Sequence, residues 1–278
     1  MNIVWVHRYG QQFASFRYRA ATPAVEVAKI NGYKTAINSG EADIVIFAKP
    51  REDELEMAQK AKAEGAKIVV DISDDHFMRD DVQKRFAELA DGIVTGTDTM
   101  RARIYDYTKK DSVAIPDPYE FAECEPHADG DDYLWFGHSS NFNALVRVMP
   151  SMKGRKLRVV TGPKNAAGTI LWTPENMVTA FQMSNIVVLP TLLGHEFKTN
   201  NRLVNSIRSG CFAVCMGHPA YMEFKRHVWV GNFPTGLRWA EHFRKDLNGL
   251  VKSAQDYIRD RYSPEAIGRL WASYLGSL

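Results

Sequence analysis

Residues 185–216, NIVVLPTLLGHEFKTNNRLVNSIRSGCFAVCM, hold the pattern that decides the fold. The apolar run IVVL predicts a buried strand, and the amide-rich segment after it predicts a helix that ends at Gly210, before a second apolar run. Apolar strands that alternate with helices are typical of a parallel sheet covered on both faces. Lys198 and Arg202 flank the helix start, where each positive charge costs about 0.3–1 kcal/mol unless an anion binds. The segment is therefore either an ordinary helix–strand connection or a helix aimed at a charged ligand.

The same alternation extends over the whole chain, except at residues 116–132, where prolines and acids interrupt it. We therefore predict two α/β sandwiches in tandem: a domain over 1–118, a linker over 119–131, a domain over 132–255 and a helical segment over 256–278. The predicted strands are Ile3–Val6, Ile44–Phe47, AKIVVDI, DGIVTGT, SVAIPDP, YLWFGHSS, KLRVVTG, NIVVLPT, CFAVCM and VWVG. The predicted helices are Arg17–Ile30, Glu52–Glu64, Val82–Ala90, Thr97–Tyr107, NFNALVRVM, Pro174–Met183, the one within 198–210, PAYMEFKR and the chain from about Gly236 onward, interrupted at Ser263-Pro264.

Composition and charge are those of an ordinary globular protein. The chain has 278 residues, 45% hydrophobic and 24% charged, and its formal net charge of +2 does not by itself imply nucleic acid. Its cysteines, Cys124, Cys211 and Cys215, are too few and too irregular for a disulfide framework. No apolar stretch reaches about 18 residues, and MNIVWVHRYG contains no basic leader or cleavage site. We expect no membrane span, no secretory signal and a cytoplasmic location.

Polar residues after the strands of the first domain are candidates for chemistry, because ligands of open α/β sheets bind beyond the carboxyl ends of the strands. Gly10 follows the first strand, and Arg17 and Arg19 lie at the start of the next helix, where they either meet an anion or point to solvent. The loop after the third strand offers a general base, hydroxyl-binding groups or metal ligands, or else helix caps and solvated acids. Its residues are Asp74, Asp75 and His76. One acidic loop alone is weak evidence for a metal.

The second domain offers small residues at its strand-to-helix turns. Gly137, His138 and Ser139 can present backbone N–H groups to a phosphate or form a plain tight turn with a capping residue. Thr161 and Gly162 open a glycine-rich loop that either contacts a nucleotide or is a surface loop. Further caps or donors lie at the start of the helix within 198–210: Thr199, Asn200 and Asn201.

In their order and spacing these segments resemble the GT-B glycosyltransferases, and in particular the large retaining nucleotide-sugar family with an E-x7-E motif. FASFRYRA, GAKIVVDISDDHF, ADGIVTGTDTMRARI and VAIPDPYEF resemble its N-terminal segments, and NIVVLPT with KTNNRLVNSIRSGCFAVCMGHPAYMEF resembles its donor-binding segment. The resemblance implies two Rossmann-like α/β/α domains, with the helix of YSPEAIGRLW packing back on the N-terminal domain. Asn205 falls where the family has the acid that binds the donor ribose. Phe197, beside Glu196, falls where it has the first acid.

The resemblance implies transfer of a sugar from a nucleoside diphosphate, expected to be UDP, to an acceptor hydroxyl. It further implies retention of configuration and no metal or other cofactor. Lys198 and Arg202 are expected at the diphosphate, and the amide of Asn205 can still bind a ribose hydroxyl. The residues expected at the donor and its phosphates are Gly10, Arg17, Gly137, His138, Ser139, Thr161, Gly162, Lys198, Thr199, Asn200, Asn201, Arg202 and Asn205. Those expected to be catalytic are Asp74, Asp75 and His76, and Arg19 is expected to bind the acceptor.

The sequence leaves alternatives open for two points, the identity of the acceptor and the class of protein. The acceptor is a glycan, a small molecule or a hydroxymethylated DNA base, the last because of basic residues in RDDVQKR and MRARIYDYTKK, which are equally consistent with solvated helix faces. The lost E-x7-E acids also fit a non-catalytic GT-B-like nucleotide-binding protein. A sugar-nucleotide epimerase or a periplasmic-type binder is the third class, because unrelated functions share such folds.

Overall fold

The structure, a computed structural model, describes residues 1–162, 168–192 and 194–278. Its strands in chain order are β1 Asn2–Val6, β2 Lys34–Ile37, β3 Ile44–Ala48, β4 Lys67–Asp71, β5 Gly92–Thr95, β6 Val113–Ala114, β7 Asp132–His138, β8 Lys156–Gly162, β9 Ile170–Leu171, β10 Ile186–Leu189, β11 Phe212–Met216 and β12 Trp229–Gly231. Its α-helices are α1 Ala14–Phe16, α2 Thr22–Ala28, α3 Leu55–Ala63, α4 Val82–Leu89, α5 Asp98–Thr108, α6 Phe142–Val148, α7 Pro174–Gln182, α8 Asn201–Arg208, α9 Phe233–His242, α10 Leu247–Arg259 and α11 Pro264–Gly276. A π-helical turn, Arg17–Ala21, joins α1 to α2.

Internal contacts divide the chain into two compact units. Unit 1 comprises Met1–Pro118, Phe197–Thr199 and Tyr262–Leu278. Unit 2 comprises Tyr119–Glu196 and Asn200–Arg261. The three residues 197–199 therefore belong to unit 1 by their contacts, although both of their flanking segments belong to unit 2.

Each unit is built on a six-stranded parallel sheet. The strand order is β2-β1-β3-β4-β5-β6 in unit 1 and β12-β11-β10-β7-β8-β9 in unit 2. Central strands such as β3 and β10 are buried at every residue, because helices cover both sheet faces. The predicted α/β fold class is confirmed. The sequence analysis missed the sheet-edge strands β2 and β9, which are short and not fully buried.

The C-terminal helix α11 completes the core of unit 1. It packs against α2, and its Trp271 lies edge-on to Trp5 of β1 with ring centroids 6.0 Å apart. The hydroxyl of Tyr33 donates to the carbonyl oxygen of Ala272 at 3.0 Å. Ser263 caps the helix by accepting from the amide of Ala266 at 3.1 Å. The expectation that the C-terminal helix packs back on the N-terminal unit is confirmed.

Gly268 allows the close approach of α11 to α2, and alanine at this position is expected to destabilise the protein by about 1–3 kcal/mol. A Cβ there would lie 2.4 Å from Cβ of Glu26 and 3.3 Å from its carbonyl carbon, so the two helices would have to separate. Gly249 in α10 is a matched control, because a Cβ there meets nothing within 4 Å. Gly249→Ala is expected to stabilise by about 0.5–1 kcal/mol. Urea denaturation measures both changes, and equal effects of the two would contradict the packing argument.

In unit 2, residues 119–131, expected to form a linker, are bound to the helices and loops of that unit. The amide of Cys124 donates to the carbonyl oxygen of Arg208 at 3.1 Å, and that of His127 to Gly210 at 3.0 Å. Gly210 ends α8 with a φ of +82°, and a Cβ there would lie 2.4 Å from the carbonyl oxygen of Glu125. A side chain at position 210 would therefore displace this segment.

Candidate functional sites

Arg19 lies at the centre of a buried polar network in unit 1. Its guanidinium makes a two-pronged ion pair with Asp71, with Nε–Oδ2 at 2.7 Å and Nη2–Oδ1 at 2.9 Å. Nη1 donates to the carbonyl oxygen of Ile115 at 2.5 Å and to Asp117 at 3.2 Å. Burial opposes the positive charge, but Asp71 and Asp117 outweigh it and raise the pKa of Arg19. Arg19, expected at the acceptor, is only 2% exposed, a geometry that favours a structural role.

Asp74 lies between two lysines of unit 1. Its carboxylate pairs with Nζ of Lys49 at 2.7 Å and also with Nζ of Lys198. Burial alone would raise the pKa of Asp74, but the two ammonium groups outweigh it and hold that pKa well below its ordinary value. Asp74 is therefore a carboxylate at neutral pH and cannot donate a proton. Lys198, expected at the donor diphosphate, is engaged by this carboxylate within unit 1.

The other two residues of the predicted catalytic loop have different surroundings. Asp75 accepts from Nε of Arg103 at 2.8 Å, and the Arg103 guanidinium lies over the ring of Tyr107. The backbone amide of His76 donates to Oε1 of Gln83 at 3.0 Å, which fixes the loop. Burial lowers the pKa of His76, so its ring is neutral at pH 7 and able to bind a hydroxyl group. Of the three, His76 has the side chain best suited to hydrogen-bond a substrate.

The remaining unit 1 candidates are placed by backbone contacts or by the network around Arg19. Gly10 accepts from the amide of Phe13 at 3.0 Å in the loop after β1. Nη1 of Arg17, which lies in the π-helical turn, donates to the carbonyl oxygen of Gln11 at 2.6 Å. The hydroxyl of Thr199 donates to Oδ2 of Asp117 at 2.5 Å, so this residue supports the buried network.

Sequence reasoning missed two residues at the carboxyl edge of the unit 1 sheet, His7 and Lys49. Each directly follows a buried strand, and that position was the available signal. His7 is 1% exposed, and burial is the main cause that lowers its pKa to about 4. Lys49 has a φ of +60°, in the left-handed region that non-glycine residues seldom adopt. Strained backbone of this kind is concentrated at functional sites.

The pKa of His7 predicts how stability depends on pH. The folded chain holds this ring neutral down to about pH 4, whereas the unfolded chain protonates it near pH 6.5. Between these values the unfolded state binds more protons, so the free energy of unfolding is expected to fall as pH drops from 6.5 to 4. His7→Gln should reduce that slope by up to about 1.4 kcal/mol per pH unit, the amount for one proton. Urea denaturation at pH 4.5, 5.5 and 6.5 measures it, and a slope identical to that of the unchanged chain would contradict the assignment.

In unit 2, Arg202 in the first turn of α8 reaches the carboxyl end of β7. Its Nη1 donates to the carbonyl oxygen of Phe136 at 3.3 Å, and a Cβ on Gly137 would lie 3.4 Å from that nitrogen. The hydroxyl of Thr161 donates to the carbonyl oxygen of Gly137 at 2.9 Å, which joins the ends of β7 and β8. A guanidinium, a side-chain-free backbone and a helix start therefore lie together at this sheet edge, a combination suited to an anion.

The turn after β7 continues this edge. His138 caps a 3-10 turn over Ser139–Asn141, and its Nδ1 accepts from the amide of Ser140 at 3.2 Å. Gly162 ends β8. The glycine-rich loop predicted to follow runs through residues 163–167, outside the described part of the chain.

The amide side chains around α8 hydrogen-bond this helix to other segments of unit 2. Asn200 donates from Nδ2 to Oε1 of Glu223 at 2.9 Å, and Asn201 begins the helix. Asn205 is 1% exposed: its Oδ1 accepts from the amide of Glu120 at 2.9 Å, and its Nδ2 donates to the carbonyl oxygen of Asn201 at 2.9 Å. Its side chain therefore already holds residue 120 against α8. To bind a ribose, Asn205 would have to exchange these bonds.

The loop before α8 and the loop after β11 contribute groups that the sequence analysis did not single out. Nδ1 of His218 accepts from the amide of Ala220 at 3.2 Å, so Nε2 carries the proton and donates to the carbonyl oxygen of His195 at 2.8 Å. Burial lowers the pKa of His218. Backbone amides of Glu196 itself and of Gly194 lower the pKa of Glu196, which is therefore ionised at neutral pH.

Two features are absent from the described ranges, 1–162, 168–192 and 194–278. These ranges contain no cluster of three or more His, Cys, Asp or Glu side chains placed to hold a metal ion. They also contain no helix with the length and apolar character needed to cross a membrane.

No protein-family model and no curated protein sequence matches the chain. Several solved structures match the chain. A variant of TarM from S. aureus, in complex with fondaparinux, alpha-GlcNAc-glycerol and UDP, is 12% identical over 90% of this chain and 58% of its own, with a TM-score of 0.67. The apo lipopolysaccharide outer core galactosyltransferase WaaB is 10% identical over 100% of both chains, with a TM-score of 0.60. The N-terminal domain of Candida albicans trehalose-6-phosphate phosphatase is 6% identical over 99% of this chain and 96% of its own, with a TM-score of 0.63.

These likenesses show the fold. The chain spans 58% of the length of TarM and the full length of WaaB. It has the GT-B fold, as its resemblance to that class of glycosyltransferases implied, in two parallel-sheet units completed by a C-terminal helix.

Proposed function

We propose that this chain is a glycosyltransferase that moves a sugar from a nucleoside-diphosphate sugar to an acceptor hydroxyl. The observation that carries the proposal is the position of the Arg202 guanidinium beside Gly137 at the carboxyl edge of the unit 2 sheet. The departing diphosphate gains negative charge as the glycosidic bond breaks, and a positioned guanidinium stabilises that charge. The TarM structure of the same fold contains UDP, which favours UDP as the nucleotide.

The roles in this proposal follow the surroundings of each side chain. Arg202 contacts the diphosphate, with backbone groups of Gly137, His138 and Ser139 as further donors. In unit 1, neutral His76 hydrogen-bonds a hydroxyl group of the sugar or the acceptor. Ionised Asp74 stays paired with its lysines and contributes negative charge. Retention of configuration and independence of metal belong to the proposal through the resemblance to the retaining GT-B family.

The acceptor in this proposal is a hydroxyl-bearing molecule: a glycan, a small molecule or a hydroxymethylated DNA base. WaaB is by its name a lipopolysaccharide galactosyltransferase, which favours a glycan. Exposed basic residues on and just after α5, such as Arg101 and Lys109, are what a DNA acceptor would require, but Arg101 pairs with Asp98. Solvated helix faces explain these residues equally well.

A thermal-shift screen tests the donor, because a ligand that binds only the native state raises its melting temperature. UDP, GDP and ADP and their glucose, galactose and N-acetylglucosamine conjugates are the ligands. UDP and at least one UDP-sugar are expected to raise the melting temperature, and slow release of UDP from that sugar should follow. Binding without any turnover, with water or with added acceptors, would exclude the enzyme.

A second candidate is a non-catalytic nucleotide-binding protein of the same fold. It is favoured by Asn205, which replaces an acid of the E-x7-E family and is already hydrogen-bonded to Glu120 and Asn201. Nucleotide binding with no turnover would support this candidate. Conversion of a free UDP-sugar to its epimer, with no acceptor present, would instead indicate an epimerase.

A further inference from the structure

His7 presents a buried hydrogen-bond donor at the carboxyl edge of the unit 1 sheet. Its Nδ1 accepts from the amide of Tyr9 at 3.1 Å, so the proton of the neutral ring is on Nε2. Across the described ranges of the chain, Nε2 is buried and has no hydrogen-bond partner. A buried donor left in this state costs about 1–3 kcal/mol. Such a group calls for an explanation, either a bound water or a partner that arrives with a ligand.

The His7 ring is held in place by its neighbours. The rings of Tyr9 and Phe16 lie edge-on to it, with centroids 5.8 and 5.5 Å away. The backbone amide of His7 donates to Oδ1 of Asn38 at 2.8 Å. The hydrogen bond from the Tyr9 amide to Nδ1 fixes the orientation of the imidazole, so that its Nε2 edge points away from its own loop. Nε2–H is therefore preorganised, as expected for a group that binds a ligand.

Strand register places His7 at the same sheet edge as the proposed catalytic loop. Val6 pairs with Phe47 on β3, and Ala48 on β3 pairs with Asp71 on β4, so the residues that follow β1, β3 and β4 share one sheet edge. Lys49 follows β3, the strand between β1 and β4, and its ammonium pairs with Asp74 of that loop at 2.7 Å. Burial is the main cause that lowers the pKa of His7 and of His76, and the charge of Lys49 lowers both further.

We propose that Nε2–H of His7 binds a hydroxyl oxygen of the substrate held by unit 1, either of the transferred sugar or of the acceptor. This inference rests on the proposed glycosyl transfer and adds a binding residue to it. A neutral donor fits a neutral hydroxyl, whose oxygen can accept this hydrogen bond and does not require a charged partner. The bond would satisfy Nε2–H when substrate binds, so the cost of the unpartnered donor in the free protein is relieved on binding.

Two substitutions separate the turn function of His7 from its Nε2 donor. His7→Asn keeps an acceptor for the Tyr9 amide, because asparagine favours this two-residue turn, but it removes the donor at the Nε2 position. His7→Gln carries an amide N–H of similar reach and serves as the conservative rescue. Ser112→Ala is the matched control, since the Ser112 hydroxyl is another buried polar group of unit 1 for which the described residues provide no partner.

Calorimetry with UDP, UDP-glucose, UDP-galactose and UDP-N-acetylglucosamine forms one arm of the test. Acceptor KM with glucose, galactose and N-acetylglucosamine forms the other. His7→Asn is expected to leave the Kd for UDP within about twofold and to weaken UDP-sugar binding or raise acceptor KM about tenfold. The first change assigns the oxygen to the transferred sugar and the second to the acceptor. His7→Gln should recover most of the loss, and Ser112→Ala should change neither value.

Unchanged UDP-sugar Kd and acceptor KM in His7→Asn would overturn the inference while leaving glycosyl transfer intact. That outcome would leave Nε2–H with a bound water at most. If the unchanged chain binds none of the four nucleotides, the proposed function fails, and this inference fails with it. Melting temperatures of all variants identify any loss caused by unfolding, and loss by His7→Asn without rescue by His7→Gln counts against a donor role.

Discussion

Replacing Arg19 with methionine is expected to lower the free energy of unfolding by about 3–5 kcal/mol, the typical cost of breaking a buried ion pair. Methionine fills a similar volume but leaves the carboxylates of Asp71 and Asp117 without their cation. Asp71 is fully buried, so water cannot replace the lost donors. Because small domains are stable by about 5–15 kcal/mol, this change alone should approach the threshold of unfolding. Urea denaturation monitored by circular dichroism measures it.

Two controls define the origin of that loss. Arg85→Met removes an exposed ion pair with Glu52 and is expected to cost less than about 1 kcal/mol. The double variant Arg19→Met/Asp71→Asn should recover part of the stability, because it removes one buried charge together with its partner. If Arg19→Met costs no more than Arg85→Met, the network is not the structural centre of unit 1.

Replacing Arg202 with alanine is expected to weaken UDP binding by about 1.5–3 kcal/mol, or roughly 10- to 100-fold in Kd. The reason is the loss of charge-assisted hydrogen bonds to the diphosphate, so the affinity for uridine should change little. Titration calorimetry with UDP and with uridine separates the two contributions. Arg202 is half-buried and bonds both the Phe136 carbonyl oxygen, at 3.3 Å, and the buried hydroxyl of Tyr221. The variant is therefore expected to stay folded with a modestly lower melting temperature, which is measured alongside the affinities.

The matched control for Arg202 is Arg238 on α9, an exposed arginine of the same unit whose Nη2 donates to Thr235 at 3.3 Å. Arg238→Ala should leave both affinities unchanged. Equal weakening of UDP and uridine by Arg202→Ala would argue against a diphosphate contact and for a general disturbance of the pocket. Equal weakening of UDP by both arginine variants would point to the overall charge of unit 2.

The sequence was sufficient to predict the core strands, because buried parallel strands are apolar at nearly every position. Local chemistry likewise located the start of α11 at Ser263-Pro264 and placed the end of α8 within two residues, since α8 ends at Arg208 and Gly210 follows its C-cap. Strands β2 and β9 were missed, since short edge strands with exposed positions lack a continuous apolar run. Their existence depends on neighbouring strands that supply hydrogen bonds, which a local pattern does not contain.

The site was harder to predict, because burial and partners depend on distant residues. Arg19 follows the first strand in a helical pattern, yet its partners are 52 and 98 positions away in sequence. Lys198 and Arg202 have the spacing of neighbours on one helix, but α8 begins at Asn201. Phe197 packs against the unit 1 core and brings Lys198 to that unit, whereas Arg202 remains in unit 2. Residues only four positions apart in sequence therefore belong to different units.

The contribution of α11 to unit 1 has a consequence for how the chain folds as it is made. The core of unit 1 combines residues of β1 and α2 with Ile267, Trp271 and Leu275. A ribosome that has released residues 1–118 has therefore not yet produced a third partner of that core. In sequence, all of unit 2 comes after residue 118 and before residue 262, so it can close its own sheet first. A nascent-chain experiment should therefore find the later-encoded half protected from protease before the earlier one.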